Sequence, residues 1–321
     1  MTLRLERVLA TVDWAHIVLE GSGQASGYAM DPRPRPPKDN EAGRSARAHS
    51  PGLFARYLRG DTTPSSDQLY YMDERVEGSW SRFSHPVYRL LAKPTTEWYE
   101  LVEILDDLAL SLHCRIFDID GAQGPGKYQL PTTSRRQTDL AVQGDGYALT
   151  ALLALALHAK GEENFPLALD VATRAYQCML FAFARGEFWS IRSALAARIR
   201  QQILDQIECN DMVLDTASLD IEAGIARLRE LLERHHLVEP TANSAARRRL
   251  FRQILAGEHT GVLPLITPRR VPVAMAAACR AQHQRPIEMD SQPRGRFQHV
   301  PRFGKRARSV LRAALAGYWV D

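Results

Sequence analysis

The stretch DGYALTALLALALHAKGEENFPLALDVATRAYQCMLFAFARGEFWSIRSALAARIRQQILDQIEC, residues 145–209, decides the fold class. Leu and Ala dominate its first part, and both lose little on entering a helix. Gly161 and Gly186 punctuate the run, as glycines between helices do. The pattern predicts three consecutive helices reaching to Cys209, the core of a helical bundle. Its longest apolar run, Tyr147 to Ala159, is shorter than the roughly 20 residues that cross a bilayer. No membrane span is expected.

At 321 residues and 45% hydrophobic content the chain has enough apolar surface for one large or two moderate domains. Cys114, Cys178, Cys209 and Cys279 stand far apart, without the paired spacing of zinc sites or disulfide frameworks. They read as reduced and mostly buried, which suits a cytoplasmic location. The N-terminal residues MTLRLERVLATVDWAHIVLE carry Arg4, Glu6, Arg7, Asp13 and Glu20, so they predict an amphipathic helix over Leu3 to Glu20 and not the apolar core of a signal peptide. The net charge of +4 hides an asymmetry. From Thr241 on there are 15 basic against four acidic residues, +11, while the preceding residues balance at −7. The basic end is where a polyanion is expected to bind.

Working outward, GSGQASG stops the first helix, and DPRPRPPKDN, residues 31–40, is a linker or exposed loop, because each proline fixes φ and removes a donor. EWYELVEILDDLALSLH, Glu97 to His113, has helical apolar spacing behind Pro94-Thr95-Thr96. GAQGPGKYQLPTTSRRQTD, Gly121 to Asp139, reads as a loop; Tyr128 after Gly-Lys is not the Ser or Thr of a phosphate-binding loop. DIEAGIARLRELLERHHL, Asp220 to Leu237, opens on acids and closes on bases, as the helix dipole favours. SAARRRLFRQILAG, Ser244 to Gly257, is a basic amphipathic helix with Leu250, Phe251, Ile254 and Leu255 on one side and Arg247, Arg248, Arg249 and Arg252 around it. A Pro-rich connector, VLPLITPRRVPV, and a short terminal helix, ARSVLRAALAGYWVD, follow.

Catalytic signatures are absent: there is no Gly-x-Ser-x-Gly elbow, no His-Glu-x-x-His pair and no kinase set. Asp118 and Asp120 in FDIDG share one side of an extended segment and have the oxygen chemistry for a divalent cation. An ordinary strand end looks the same, so no metal and no cofactor is assigned.

SPGLFARYLRGDTTPSSDQL, Ser50 to Leu69, carries the functional reading. Ser50 before Pro51 suits an N-cap with Pro at the first helical position; Phe54 and Tyr57, three apart, share a face; Gly60 suits a left-handed helix end; Pro64-Ser65 opens the next helix, anchored by Leu69. This stretch resembles the recognition-helix half of Cro/XRE-type helix-turn-helix DNA-binding proteins. The resemblance covers about 20 of the 321 residues and deteriorates upstream, where DNEAGRSARAH replaces an apolar first helix. It implies that Ser50, Gly52, Ala55 and Arg56 face base edges and that Arg59, Thr62 and Thr63 touch phosphates, provided that Leu3–Glu20 supplies the missing helix across the proline loop. Arg247, Arg248, Arg249 and Arg252 are candidate phosphate contacts. Trp80, Phe83 and Tyr88, interleaved with Arg82, Arg89 and Lys93, fit base stacking or, more simply, a core.

The expected fold is mainly α: a helix-turn-helix-like region over residues 1–93, a helical bundle over 94–240, and a basic, less regular segment over 241–321. The expected function is DNA-binding regulation, with double-stranded DNA and a protein partner or second copy as partners. The alternative is a non-enzymatic helical interaction protein. Ala168 and Ala175, seven apart, with Gly161 at the turn, give residues 147–186 a likeness to a single tetratricopeptide hairpin, but no second copy recurs.

Overall fold

The computed structural model describes residues 4–24, 52–117, 134–239 and 242–282; only the backbone is described at Cys114 and Cys279. The chain is mainly helical. Its described residues fall into two compact units, one up to Tyr88 and one from Arg89 on.

The first unit is built on α1 (Leu5–Gly21), whose Leu5, Val8, Leu9, Val12, Trp14, Ala15 and Val18 are all buried. The helix ends where the glycine-rich stretch was expected to stop it, with Gly23 at φ 66°. Short helices α2 (Leu53–Leu58), α3 (Ser66–Asp73) and α4 (Ser79–Phe83) pack around its C-terminal half. Trp14, Ala15, Val18 and Leu19 form one apolar cluster with Phe54, Tyr57, Leu69 and Met72. Helices this short are not stable alone; burial of one apolar face against α1 supplies what propagation cannot. Helix α5 (Pro86–Ala92) follows and runs through the boundary at Tyr88.

The second unit begins with α6 (Trp98–Leu105) and α7 (Leu110–Ile116). The single helix expected over 97–113 is therefore two. Asp106 and Asp107 follow the end of α6, where the helix dipole disfavours acids, and Ala109 adopts an extended conformation. Leu108 and Leu112, on either side of the break, are both buried. Residues 134–139, read as loop, are helical: α8 (Ser134–Ala141) buries Gln137, Leu140 and Ala141. Its inward stripe contains a glutamine, which hid the helical period. Asp118, Asp120 and the GAQGPGK stretch lie outside the described residues.

Helices α9 (Gly146–Gly161) and α10 (Phe165–Ala184) pack along each other and form the centre of the unit. Nearly every α9 side chain from Ala148 to Leu157 is buried, so this helix is apolar all round because it is covered all round. Asp145 and Asn164 cap the pair by accepting from the N–H groups of Ala148 and Leu167. Ala168 and Ala175, the small residues of the hairpin likeness, are fully buried. Next comes α11 (Arg192–Gln202), shorter than the helix expected to Cys209. Ile203 leaves helical geometry at φ −124°, and Glu208–Cys209 becomes strand β1 instead. Asn210 and Asp211, both at positive φ, make a two-residue turn into β2 (Met212–Asp215), the conformation that such hairpins require.

Helices α12 (Ile221–Arg234), α13 (Ser244–Leu255) and α14 (Leu263–Ile266) follow. The connector after α14 forms β3 (Arg269–Pro272), antiparallel to β2, with Val213 opposite Val271. Helix α15 (Val273–Gln282) ends the described chain. The start of the expected basic segment is thus built into this unit: Phe251 of α13 stacks on Phe181 of α10 with ring centroids 4.0 Å apart.

Candidate nucleic-acid interface

The turn between α2 and α3 is assembled from local signals. Gly60 takes φ 68°, its N–H donates to the Tyr57 carbonyl at 2.9 Å, and the Asp61 N–H donates to the Arg56 carbonyl at 2.9 Å. These are the two bonds of a Schellman ending. At the next start Ser65 and Gln68 form a reciprocal capping box. The Tyr57 hydroxyl donates to Gln68 Oε1 at 2.6 Å, and the Ser65 N–H donates to the same oxygen at 2.8 Å. One glutamine carbonyl therefore ties the end of α2 to the cap of α3.

The entry to α2 differs from the expected Ser50 cap. The helix starts at Leu53, and Gly52 before it is left-handed, at φ 78°. A left-handed residue interrupts the helical path, so the first turn begins after Gly52; Pro51, expected at the first turn, and Ser50 both lie outside the described residues.

The first helix packs against the inner face of this turn. Trp14 of α1 lies 5.9 Å from Phe54 and 5.6 Å from Tyr57, centroid to centroid, with tilted and edge-on geometry. Phe83 closes a third side at 6.3 Å. On the outside of α2, Ala55 and Arg56 are half-buried and Arg59 is exposed. Arg59 pairs with Asp61 at 3.0 Å, whereas Arg56 makes no ion pair or hydrogen bond through its side chain among the described residues. Thr62 and Thr63 sit half-buried in the turn.

Other expected cations are committed elsewhere. Arg82 donates from Nε to Asp13 at 2.8 Å, Arg89 is paired with Asp107, and Lys93 with Glu100 at 2.6 Å. Arg247 does not ring the outside of α13: it is 5% exposed, and its guanidinium donates to the carbonyls of Glu239 and Ala242. Its place in the Leu250–Phe251–Ile254 stripe forces it inward, where main-chain oxygens satisfy it. Arg248 donates to Gln143, Arg252 pairs with Asp139 at 2.8 Å, and Arg249 is exposed.

The sequence reading missed a buried polar cluster beneath the aromatic core. Asp13, 2% exposed, accepts from Arg82 and, at 3.0 Å, from the Tyr88 hydroxyl. Burial first, and then the Asp13 charge, push the Tyr88 phenol well above its usual range. His85, also buried, accepts at Nδ1 from the Val87 N–H. Burial, reinforced by the Arg82 charge, holds its pKa well below the ordinary histidine value. The available signal was a single acid, Asp13, beside Trp14 in an otherwise apolar stretch of α1.

Compared with protein-family models, with curated proteins and with solved structures, the chain matches none of them. Among the described residues no helix is long and apolar enough to cross a membrane, and no group of three or more potential ligands gathers around a metal position.

Proposed function

We propose that the N-terminal unit reads duplex DNA, with α2 as the reading helix, α1 as the scaffold helix behind it, and the helical second unit serving dimerisation or regulation. The observation that carries this reading is the seating of Trp14 on Phe54 and Tyr57, which gives the turn a supporting helix from the far side of the proline-rich stretch. It leaves Arg56 on the outer side without a side-chain partner among the described residues, and an arginine there has the fork geometry for a guanine edge. Arg59, exposed and held by one surface carboxylate, suits a phosphate, because exposed ion pairs exchange partners at little cost.

The test is binding of the full chain to a mixed pool of duplex fragments across a salt series. Counterion release makes affinity fall steeply with added salt, and specific reading lets some fragments survive competition. Arg56→Ala is expected to relax sequence preference; Arg59→Ala is expected to weaken all fragments alike and to lower the salt slope by about one. Failure to retain any fragment at low salt removes the proposal and leaves a non-enzymatic helical interaction protein.

A further inference from the structure

The first unit also presents an exposed aromatic, Tyr70, seated on Trp80, whose own ring packs against the core of the unit. Tyr70 is 63% exposed, the most exposed aromatic described in that unit. It stacks on Trp80, with centroids 4.5 Å apart and planes 25° from parallel. Asp67 and Tyr70 of α3 and Glu74, which caps its C-terminal end in helical conformation, fall on one stripe by their spacing of three and four, and Glu77 lies three residues before Trp80. All three carboxylates are exposed, and none has an ion pair among the described residues. The nearest arginine in sequence, Arg75, is turned onto the ring of Tyr71 at 3.9 Å. A phosphate backbone is repelled by such a face, and an arginine-rich segment is attracted to it: guanidinium groups lie on aromatic faces and pair with the carboxylates beside them.

The chain contains such a segment. Residues 294–312, RGRFQHVPRFGKRARSVLR, hold seven basic residues and no acidic one; they lie outside the described residues. We propose that the Tyr70–Trp80 face is a docking surface for this basic segment of the same chain, with cations of the segment on the outer ring of Tyr70 and against Asp67, Glu74 and Glu77. The consequence is regulatory. A basic segment held this way is not available to a polyanion until the contact opens, so duplex DNA and the aromatic face compete for it. The docking stands independently of whether α2 reads DNA.

Lys305 is the single lysine in that segment, which makes the contact testable by zero-length carbodiimide coupling of carboxylates to amines in the full chain. Lys93 and Glu100, 2.6 Å apart, provide an internal positive control. The expected result is a peptide joining Lys305 to Glu74, Glu77 or Asp67, lost at high salt. Its yield is expected to fall about two- to fivefold in Tyr70→Ala, the size of one surface cation–π contact. The Glu74→Gln, Glu77→Gln variant, altered only at exposed positions, should lose those two links. Absence of any Lys305 link while the Lys93–Glu100 link forms overturns the proposal, as does a yield unchanged in Tyr70→Ala. A link found only between differently isotope-labelled chains also overturns it, because the occupant is then a second copy.

Discussion

Replacing Trp14 by alanine tests the packing on which the functional reading depends. The side chain is fully buried, with Phe54, Tyr57 and Phe83 within 6.3 Å of it, centroid to centroid. Truncating a core Trp to Ala costs about 3–5 kcal/mol, which is roughly two to three and a half orders of magnitude in an opening equilibrium. Because the chain has two compact units, a single unfolding midpoint mixes them. The measurement should therefore be native-state hydrogen exchange on separate peptides. Peptides from residues 53–73 are expected to exchange at least a hundredfold faster in Trp14→Ala, while peptides from residues 165–184, in the second unit, keep their protection. Trp14→Phe should be far milder, because the indole N–H is buried without a hydrogen-bond partner among the described residues and removing it relieves a desolvated donor. Pairing Trp14→Ala with Tyr57→Ala should cost less than the sum of the two, since direct aromatic contacts couple. Unchanged exchange over residues 53–73 in Trp14→Ala would refute the placement of α1 behind α2, and with it the scaffold role.

Three further outcomes follow from the same geometry. Lowering pH should loosen the first unit. A histidine whose folded pKa is depressed binds fewer protons folded than unfolded, so the stability it contributes is present above about pH 6.5 and is lost as pH falls below that value; His85→Asn should flatten this dependence in exchange measured between pH 7.5 and 5. Gly144→Ala should destabilise the second unit by at least about 2 kcal/mol in thermal or denaturant melts, because the new Cβ would lie 2.6 Å from Phe251 and 2.9 Å from Phe181 at a backbone φ of 59°. Ser65→Ala should cost about 1 kcal/mol, read as faster exchange over α3, and an unchanged rate there would mean that the capping box contributes nothing.

What the sequence makes legible is local. The Schellman ending at Gly60 and the cap at Ser65 each involve residues within five positions, and Gly, Pro, Ser and Gln declare them. The same holds for Asp145, Asn164 and Asp220, whose carboxylate or amide oxygens cap α9, α10 and α12. What stays hidden depends on partners far along the chain. Asp13 accepts from Arg82, 69 positions away, and from Tyr88, 75 away; nothing near Asp13 names either residue. The small sheet was missed for a related reason. Strand β3 contains two arginines and a proline, its only buried side chain is Val271, and its identity comes from pairing with β2.

The four arginines of α13 show most plainly why the candidate site was only partly readable. In sequence they are one basic cluster at 247, 248, 249 and 252. In the fold Arg247 turns inward to main-chain carbonyls, Arg248 meets a glutamine, Arg252 meets Asp139, and Arg249 alone is exposed without a polar side-chain partner among the described residues. A count of like charges therefore overstates the field that a surface offers, because burial and pairing remove cations one at a time. Arg82, Arg89 and Lys93 are likewise balanced by Asp13, Asp107 and Glu100. Arg56 escapes because the stripe of α2 that turns inward is occupied by Phe54 and Tyr57, placing position 56 on the other side of a six-residue helix. Its availability is a product of helical phase and of Trp14, and those two facts, more than the number of arginines, make α2 the surface to test first.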